Sequence, residues 1–479
     1  MDVDPRFPIC QRRGGECVPL LTEGPECSAS SNYDPETMAE LTADDLILIG
    51  AFAPSVRTST GLSLELAVQE LNASGRLPVV VVECDGSMAT AAMRHLVDEL
   101  GVHAILGSLD AGALRTVVTQ QDTHEPAFLL SPGDSYVRPA TLSAGSGNLW
   151  YLGSNYDDVV PAYSTLVRAV AGSIGGAFAS ATTIASITSS RAEDQALNLA
   201  VFNGGISVDE LGGPALADDN RFLYFPLPDE EGDGRRAMLD LLVQKAPDIV
   251  ISFAGGVFGN PARKERASLF RALEGIAAKA SYAPRYILGP SNVEDSSLAR
   301  LSRDDVSFRS RALAVRARRP HDAVVRAALD ARFASAFPDA AAFGFHVIPA
   351  VYDGLYYLAY AVAAAPAGLG IGHADRARDG FERVTDADGP EVVVGPDGLG
   401  TAMEYLSSAT SFKLRGTDGP ADFDLDEHTR PGAGSLYCWD EAGAPREVAT
   451  LDGTAGFILD SNPCGPEVAD VVAASRRAR

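Results

Sequence analysis

Short apolar runs alternate with segments of helical period from residue 46 onward, and that alternation sets the first structural expectation. Leu46-Ile47-Leu48-Ile49, Val79-Val80-Val81-Val82, Ala104-Ile105-Leu106 and Ala127-Phe128-Leu129-Leu130 are all short runs bounded by Gly, Ser, Asp or Pro. Such runs fit strands buried on both faces of a parallel sheet. Between them Leu64, Ala67, Val68 and Leu71 share one helical face, and Met93, Leu96, Val97 and Leu100 share another. Strands and helices in this order predict right-handed crossovers and an α/β fold with an open, doubly wound sheet. Ligands of such sheets bind at the carboxyl ends of the strands. There the sequence reads Gly107-Ser108-Leu109-Asp110-Ala111-Gly112 and Ser131-Pro132-Gly133-Asp134-Ser135.

The pattern then repeats. Asp157-Asp158-Val159-Val160-Pro161 opens a helix, and strands are expected at Ile184-Ala185-Ser186-Ile187, Phe222-Leu223-Tyr224-Phe225, Ile249-Val250-Ile251 and Tyr286-Ile287-Leu288. A helical face at Met238, Leu241, Leu242 and Lys245 lies among them. This predicts a second lobe of the same kind. A strand and two helices follow over 313–365. The remainder is rich in Gly, Asp and Pro, with short β-like pieces at Leu436-Tyr437-Cys438-Trp439 and Glu447-Val448-Ala449. The expected division is a Cys-containing extension (1–43), a first lobe (44–156 and 308–368) and a second lobe (157–307 and 369–479).

Length and composition narrow the function classes. At 479 residues the chain exceeds one ordinary domain, and a hydrophobic fraction of 46% supports sizeable cores. No apolar run approaches the roughly 20 residues that cross a bilayer. The net charge of −25 and the lack of a basic stripe argue against nucleic acid. The basic cluster at 309–319 alternates with Ala, Leu and Val and reads as a strand with a solvated face.

The six cysteines fall in Cys10, Cys17 and Cys27 near the start, Cys84 after the second strand, and Cys438 and Cys464 near the end. None forms a Cys-x-x-Cys pair and no His stands at zinc-finger spacing, so neither metal nor cofactor is expected. An even count in irregular segments points to disulfides and an oxidising compartment, with six free cytosolic thiols as the other reading. The expected pairs are Cys438 with Cys464, and Cys84 with one of Cys10, Cys17 and Cys27. The opening Met-Asp-Val-Asp-Pro lacks a positive region followed by an apolar one. The expectation is a mature exported chain whose leader has been replaced by a start methionine.

Catalytic motifs are wanting. The seven histidines are scattered, and there is no His-Glu-x-x-His, no Gly-x-Gly-x-x-Gly after a first strand and no phosphate-binding Gly-x-x-x-x-Gly-Lys-Ser/Thr. Gly255-Gly256-Val257-Phe258-Gly259 has the wrong spacing, and Gly145-Ser146-Gly147 reads as a loop rather than a nucleophile elbow. The chain is therefore expected not to be an enzyme. A hydrolase using cleft carboxylates, drawn from 64 acids, is the remote alternative.

Several strings point further. They are Ile49-Gly50-Ala51-Phe52-Ala53-Pro54, the helix Glu65-Leu66-Ala67-Val68-Gln69-Glu70-Leu71-Asn72-Ala73-Ser74-Gly75, and the helix-strand ending Ala104-Ile105-Leu106-Gly107-Ser108. Pro126-Ala127-Phe128-Leu129-Leu130-Ser131-Pro132, Tyr352-Asp353-Gly354-Leu355-Tyr356 and Gly416-Thr417-Asp418-Gly419-Pro420-Ala421-Asp422-Phe423-Asp424 follow in order. Together, over 46–439, they resemble the type I periplasmic solute-binding proteins of the leucine/isoleucine/valine-binding family.

The resemblance implies two α/β lobes joined by a three-crossing hinge, which close on a ligand held between them. It implies a periplasmic or extracellular protein, monomeric, with a possible origin as a membrane-anchored lipoprotein. Its partners would be a small polar ligand (amino-acid-like, or rich in amines or hydroxyls) and an ABC transporter permease. A sensor subunit that reports to a membrane receptor would use the same lobes. From the first lobe Ser108, Asp110, Ala111, Ser131, Gly133, Asp134 and Ser135 are the expected ligand contacts. A helix cap at Asp110 and a turn at Asp134 are the structural alternatives. From the second lobe Phe253, Ser291 and Asn292 are expected, although Phe253 would equally seat its strand. Two departures stand out. No aromatic residue follows the strand ending at Thr188, and Ser291 stands where the family's Gly-Pro-Glu places an acid for an α-ammonium group.

Overall fold

The computed structural model describes residues 9–10, 17–22, 26–27, 29–31, 47–52, 58–73, 75, 77–102, 104–107, 114, 116–118, 127–133, 148–153, 156–175, 182–189, 192–202, 222–228, 233–254, 262–293, 296–318, 322–342, 345–365, 373–426, 428–430, 432–452, 456–459 and 464–477. These fall into two compact units. Unit 1 comprises Met1–Ser154 and Arg319–Pro431, and unit 2 comprises Asn155–Arg318 and Gly432–Arg479, so the chain passes from one to the other three times.

Strands β1 (Ile9–Cys10) and β2 (Cys17–Val18) form an antiparallel pair in which Cys10 is opposite Cys17. The main sheet of unit 1 uses β3 (Ala29–Ser31), β4 (Ile47–Phe52), β5 (Val79–Cys84), β6 (Ala104–Leu106), β7 (Phe128–Ser131) and β8 (Leu149–Tyr151), in the order β3-β5-β4-β6-β7-β8. Strands β4 to β8 are parallel and β3 is antiparallel to β5. Helix α1 (Ser59–Asn72) starts at Thr58, whose hydroxyl caps the Gly61 amide. Its expected face is buried at Leu64, Ala67, Val68 and Leu71. At its far end the Asn72 carboxamide both accepts from and donates to the backbone of Val79, at 2.7 and 2.8 Å, which fixes where β5 begins. Helix α2 (Ala89–Met93) continues as a π-helical turn over Arg94–Glu99.

In unit 2, α3 (Tyr156–Gly175) leads to β9 (Ile184–Thr188), α4 (Ala192–Ala200), β10 (Phe222–Pro226), α5 (Asp233–Lys245), β11 (Ile249–Ser252), α6 (Ala262–Lys279) and β12 (Arg285–Leu288). Helices α7 (Ser296–Asp304) and α8 (Val306–Arg311) precede β13 (Ala312–Arg318). The buried face of α5 is Met238, Leu239 and Leu242, whereas Leu241 is 44% exposed, one position off the expected stripe.

Helices α9 (Ala323–Ala336), α10 (Pro338–Ala342), α11 (Pro349–Ala364), α12 (His373–Val384) and α13 (Pro396–Ser407), with β14 (Glu391–Val393), β15 (Lys413–Gly416) and β16 (Gly419–Pro420), belong to unit 1. Strands β17 (Ala433–Trp439), β18 (Pro445–Asp452) and β19 (Gly456–Leu459), then α14 (Pro466–Arg477), complete unit 2. Its sheet runs β10-β9-β11-β12-β13-β17-β18-β19, parallel through β13 and antiparallel beyond.

The expected segmentation differs from these units in three places. Residues 369–431 pack in unit 1, because Ala377, Phe381 and Val384 of α12 join Tyr356, Tyr357 and Tyr360 of α11 in one core. Residues 308–318 belong to unit 2, because β13 continues its sheet beside β12. The extension is not separate. Leu20 and Cys27 are buried in the unit 1 core, and β3 adds a strand to its sheet. Disulfides join Cys27 to Cys84 and Cys438 to Cys464, in agreement with the sequence expectation. Among the described residues no helix is long and apolar enough to cross a membrane.

Candidate functional site

Sheet order decides where a ligand-bearing crevice can form. Successive crossovers leave the first strand of each unit in opposite directions, so the switch points lie between β4 and β6 in unit 1 and between β9 and β11 in unit 2. Loops at these strand ends diverge and leave backbone groups for a ligand.

At the unit 1 switch point Gly107 follows β6, and its amide donates to the Leu130 carbonyl at 2.8 Å. Next to it Ser131 ends β7. The Ser131 hydroxyl is buried and accepts from the Gly133 amide at 3.3 Å, closing a tight turn, while the Ser131 carbonyl accepts from Leu152 at 2.8 Å. Ser131 and Gly133 are thus brought together. Ser108, Asp110, Ala111, Asp134 and Ser135 lie outside the described residues.

The unit 2 switch point is described more fully. Thr188 ends β9, and Ser189 donates to Asp194 in the first turn of α4 at 2.5 Å. Phe253 follows β11 and donates its amide to Ile187 at 3.0 Å, while Gly289 after β12 donates to Ser252 at 2.8 Å. A side chain at Gly289 would put a Cβ 3.1 Å from the Ser252 carbonyl oxygen and 3.4 Å from the Phe253 Cα. Glycine therefore lets the two strand ends approach. The turn Pro290–Asn292 then folds Asn292 back beneath them. Asn292 is wholly buried, and its amide nitrogen donates to Ser252 O at 3.3 Å. The Asn292 Oδ1 and the Ser252 Oγ are buried with no hydrogen-bond partner among the described residues. Each is unusual, because a buried unpaired polar atom costs about 1–3 kcal/mol.

Phe253 is 1% exposed and packs on Tyr163 and Phe202, with ring centroids 5.3 and 6.1 Å away. That contact seats the strand. Ser291 is placed in the Pro290–Asn292 turn.

Sequence reasoning passed over two polar clusters in unit 1, one half-buried and one buried. Glu70 of α1 accepts from Arg332 Nε at 2.9 Å and from the hydroxyls of Tyr352 and Tyr356, the latter at 3.0 Å. Glu70 thus ties α1, α9 and α11 together. Asp353 of α11 is buried, and its Oδ2 accepts from both the amide and the hydroxyl of Thr417 at 2.7 Å. Its Oδ1 has no partner among the described residues. Burial, reinforced by the Asp418 charge and opposed by the Thr417 hydrogen bonds and Arg430, pushes the Asp353 carboxyl up to about 7. The alternation of Tyr352, Asp353, Tyr356 and Tyr357 along one helix was the available sign. A carboxylate beside buried tyrosines needs polar partners, and only the fold supplies Thr417.

Comparison with solved structures gives the fold. An amino acid ABC transporter substrate-binding protein from Pseudomonas fluorescens Pf-5 is 11% identical with a TM-score of 0.55, covering 89% of this chain and 98% of that one. An ABC transporter solute-binding protein from Rhodopseudomonas palustris, solved with benzoate, is 12% identical with a TM-score of 0.52 and coverages of 88% and 99%. A branched-chain amino acid ABC transporter periplasmic ligand-binding protein from Burkholderia xenovorans LB400 is 14% identical with a TM-score of 0.50 and coverages of 85% and 94%. The chain has the fold of the type I periplasmic binding proteins. No family model matches its sequence, and no curated protein does. The likeness is one of fold and not of side-chain identity.

Proposed function

We propose that this protein is an extracytoplasmic solute-binding protein that captures a small polar ligand at the strand ends of its two units and delivers it to an ABC transporter permease. The observation that carries this reading is the pair of doubly wound units, threaded by a chain that passes between them three times. Neighbours of that topology are described as solute- or substrate-binding proteins of ABC transporters along nearly their whole length. Two disulfides support an oxidising compartment. The protein acts as a monomer and does no chemistry on its ligand.

The strand ends indicate the ligand's chemistry. Unit 2 offers the Ser252 hydroxyl and the Asn292 carbonyl oxygen, both without partners among the described residues. These groups favour a ligand or bridging water that donates O–H or N–H, an amine or a hydroxyl-rich compound included. Ser291 replaces the acid that would pair with an α-ammonium, a loss of roughly 1.5–3 kcal/mol for an ordinary amino acid. In unit 1 Ser108 is proposed as the hydroxyl contact.

Thermal unfolding against amino acids, amines, polyols, sugars, nucleobases and small aromatic acids tests the reading. A ligand at 100 times its dissociation constant adds about 2.7 kcal/mol to the folded state. A single class of stabilising compounds is expected, with Ser108→Ala weakening it by about tenfold or more. No shift with any compound, together with no small molecule released on denaturation, would refute the proposal.

A further inference from the structure

The described part of residues 20–31 is held on unit 1 by several kinds of contact. Leu20 and Cys27 are buried with Val80, Val82, Met93 and Leu96. β3 pairs with β5, the Glu26 carbonyl accepts from the Asp85 amide at 2.7 Å, and Cys27 is bonded to Cys84. One further contact differs from these in its chemistry. His95, in the π-helical turn after α2, is 2% exposed. Its Nδ1 lies 2.7 Å from Glu99 Oε2 and its Nε2 lies 3.0 Å from the Leu20 carbonyl oxygen.

Both neighbours are acceptors. A neutral imidazole carries one N–H, so it satisfies one of them and turns a lone pair toward the other. If the Leu20 carbonyl keeps its donor, the Nδ1 lone pair faces a carboxylate oxygen at 2.7 Å. If Glu99 is satisfied instead, the Leu20 carbonyl loses its donor in a buried place, which is costly as well. Only one additional proton, on the ring or on Glu99, satisfies both contacts.

We propose that the described residues 20–22, 26–27 and 29–31 form a strap on unit 1 locked by a proton shared between His95 and Glu99, in addition to the disulfide. The lock is made when the pair is protonated and loosens as pH rises and the proton leaves. Among the described residues, the other charged groups on the elements packed here are Arg94 and Asp98 on the same turn, Glu26 on the strap, and Glu83 and Asp85 at the end of β5. Arg94 Nε lies 3.6 Å from the other Glu99 oxygen, and Glu26 accepts from Thr22 within the strap. Glu99 is the acid set directly on the imidazole. The strap covers the outer edge of β5, a row of four valines, so loosening it uncovers a strand edge suited to unwanted pairing.

Hydrogen exchange of the Thr22 and Cys27 amides tests this in the full chain with its disulfides intact. Those amides are held by the Cys27 carbonyl and the Thr22 hydroxyl, each at 3.1 Å. After correction for intrinsic rates, their exchange is expected to be about tenfold faster near pH 8 than near pH 5.5, while the β4–β5 ladder stays protected at both. Glu99→Gln is the decisive variant. Its carboxamide donates to a neutral Nδ1 while Nε2–H still serves Leu20, so the strap stays protected and the pH dependence vanishes. Equal protection of the wild type at both pH values, or the same pH dependence in Glu99→Gln, would overturn the proposal.

Discussion

Asp353 is buried among tyrosines, and its carboxyl is pushed up to about 7 by that burial and by the Asp418 charge. The sign of the linkage follows. The folded state holds the proton more tightly than the unfolded chain, whose carboxyl titrates at the ordinary 3.8. The stabilisation is therefore complete below pH 3.8 and is lost as pH rises through 7. The gap between 3.8 and about 7 corresponds to about 4 kcal/mol at full extent. Asp353→Asn supplies the perturbation. An Asn oxygen can accept both Thr417 contacts in place of Oδ2, and its NH2 occupies the place of the unpartnered Oδ1, whose cost does not change with pH. Denaturant unfolding of wild type and variant at intervals from about pH 4 to about pH 8 isolates this group from the other acids. The wild-type advantage over Asp353→Asn is expected to fall by up to about 4 kcal/mol across that range. A difference that stays flat, or that grows with pH, would show that Asp353 is not held protonated by its surroundings.

Two further outcomes test the packing of unit 1. A Cβ at Gly380 would lie 1.9 Å from the Ala361 carbonyl oxygen. Gly380→Ala must therefore push α12 off α11, with an expected loss of about 3 kcal/mol or more in thermal unfolding, and a loss below about 1 kcal/mol would contradict the close helix contact. The Cys27–Cys84 bond closes a sequence separation of 57 residues, worth about 4 kcal/mol by loop-closure entropy. Cys27→Ala with Cys84→Ala is expected to lower unit 1 stability by that order in denaturant unfolding, and an unchanged midpoint would show that the cross-link adds nothing to the stability of the fold.

The sequence alone settles the elements whose stabilisation is local. Val79 to Val82 can only be a doubly buried strand, and Leu64, Ala67, Val68 and Leu71 can only share one helix face, because a periodic apolar pattern has one way to bury itself. The same logic failed by one residue at Leu241, where a neighbouring leucine offered an equivalent stripe. It also left α12 and α13 unread, since the apolar residues of α12 are few and set among charges, and Pro396, Gly398 and Gly400 mask the helical period of α13. The segment joins to Cys84 through Cys27 rather than Cys10 or Cys17, and only the β3 register against β5 selects that partner.

Of the candidate site, sequence patterning located the strand ends Gly107, Ser131, Phe253 and Gly289, because parallel strands end where their apolar runs end. It could not say that Phe253 turns inward onto Tyr163 and Phe202, or that Ser252 and Asn292 keep buried oxygens unpaired among the described residues. Those outcomes depend on which side chains meet across 40 to 90 positions of sequence, as Asn292 with Ser252 and Phe253 with Tyr163 do. Such meetings carry no local pattern. Hydrophobic period thus decided the elements and their order, while tertiary packing alone decided which polar groups were paired, which were left unpaired, and how His95, Asp353 and Asn292 acquired their chemistry.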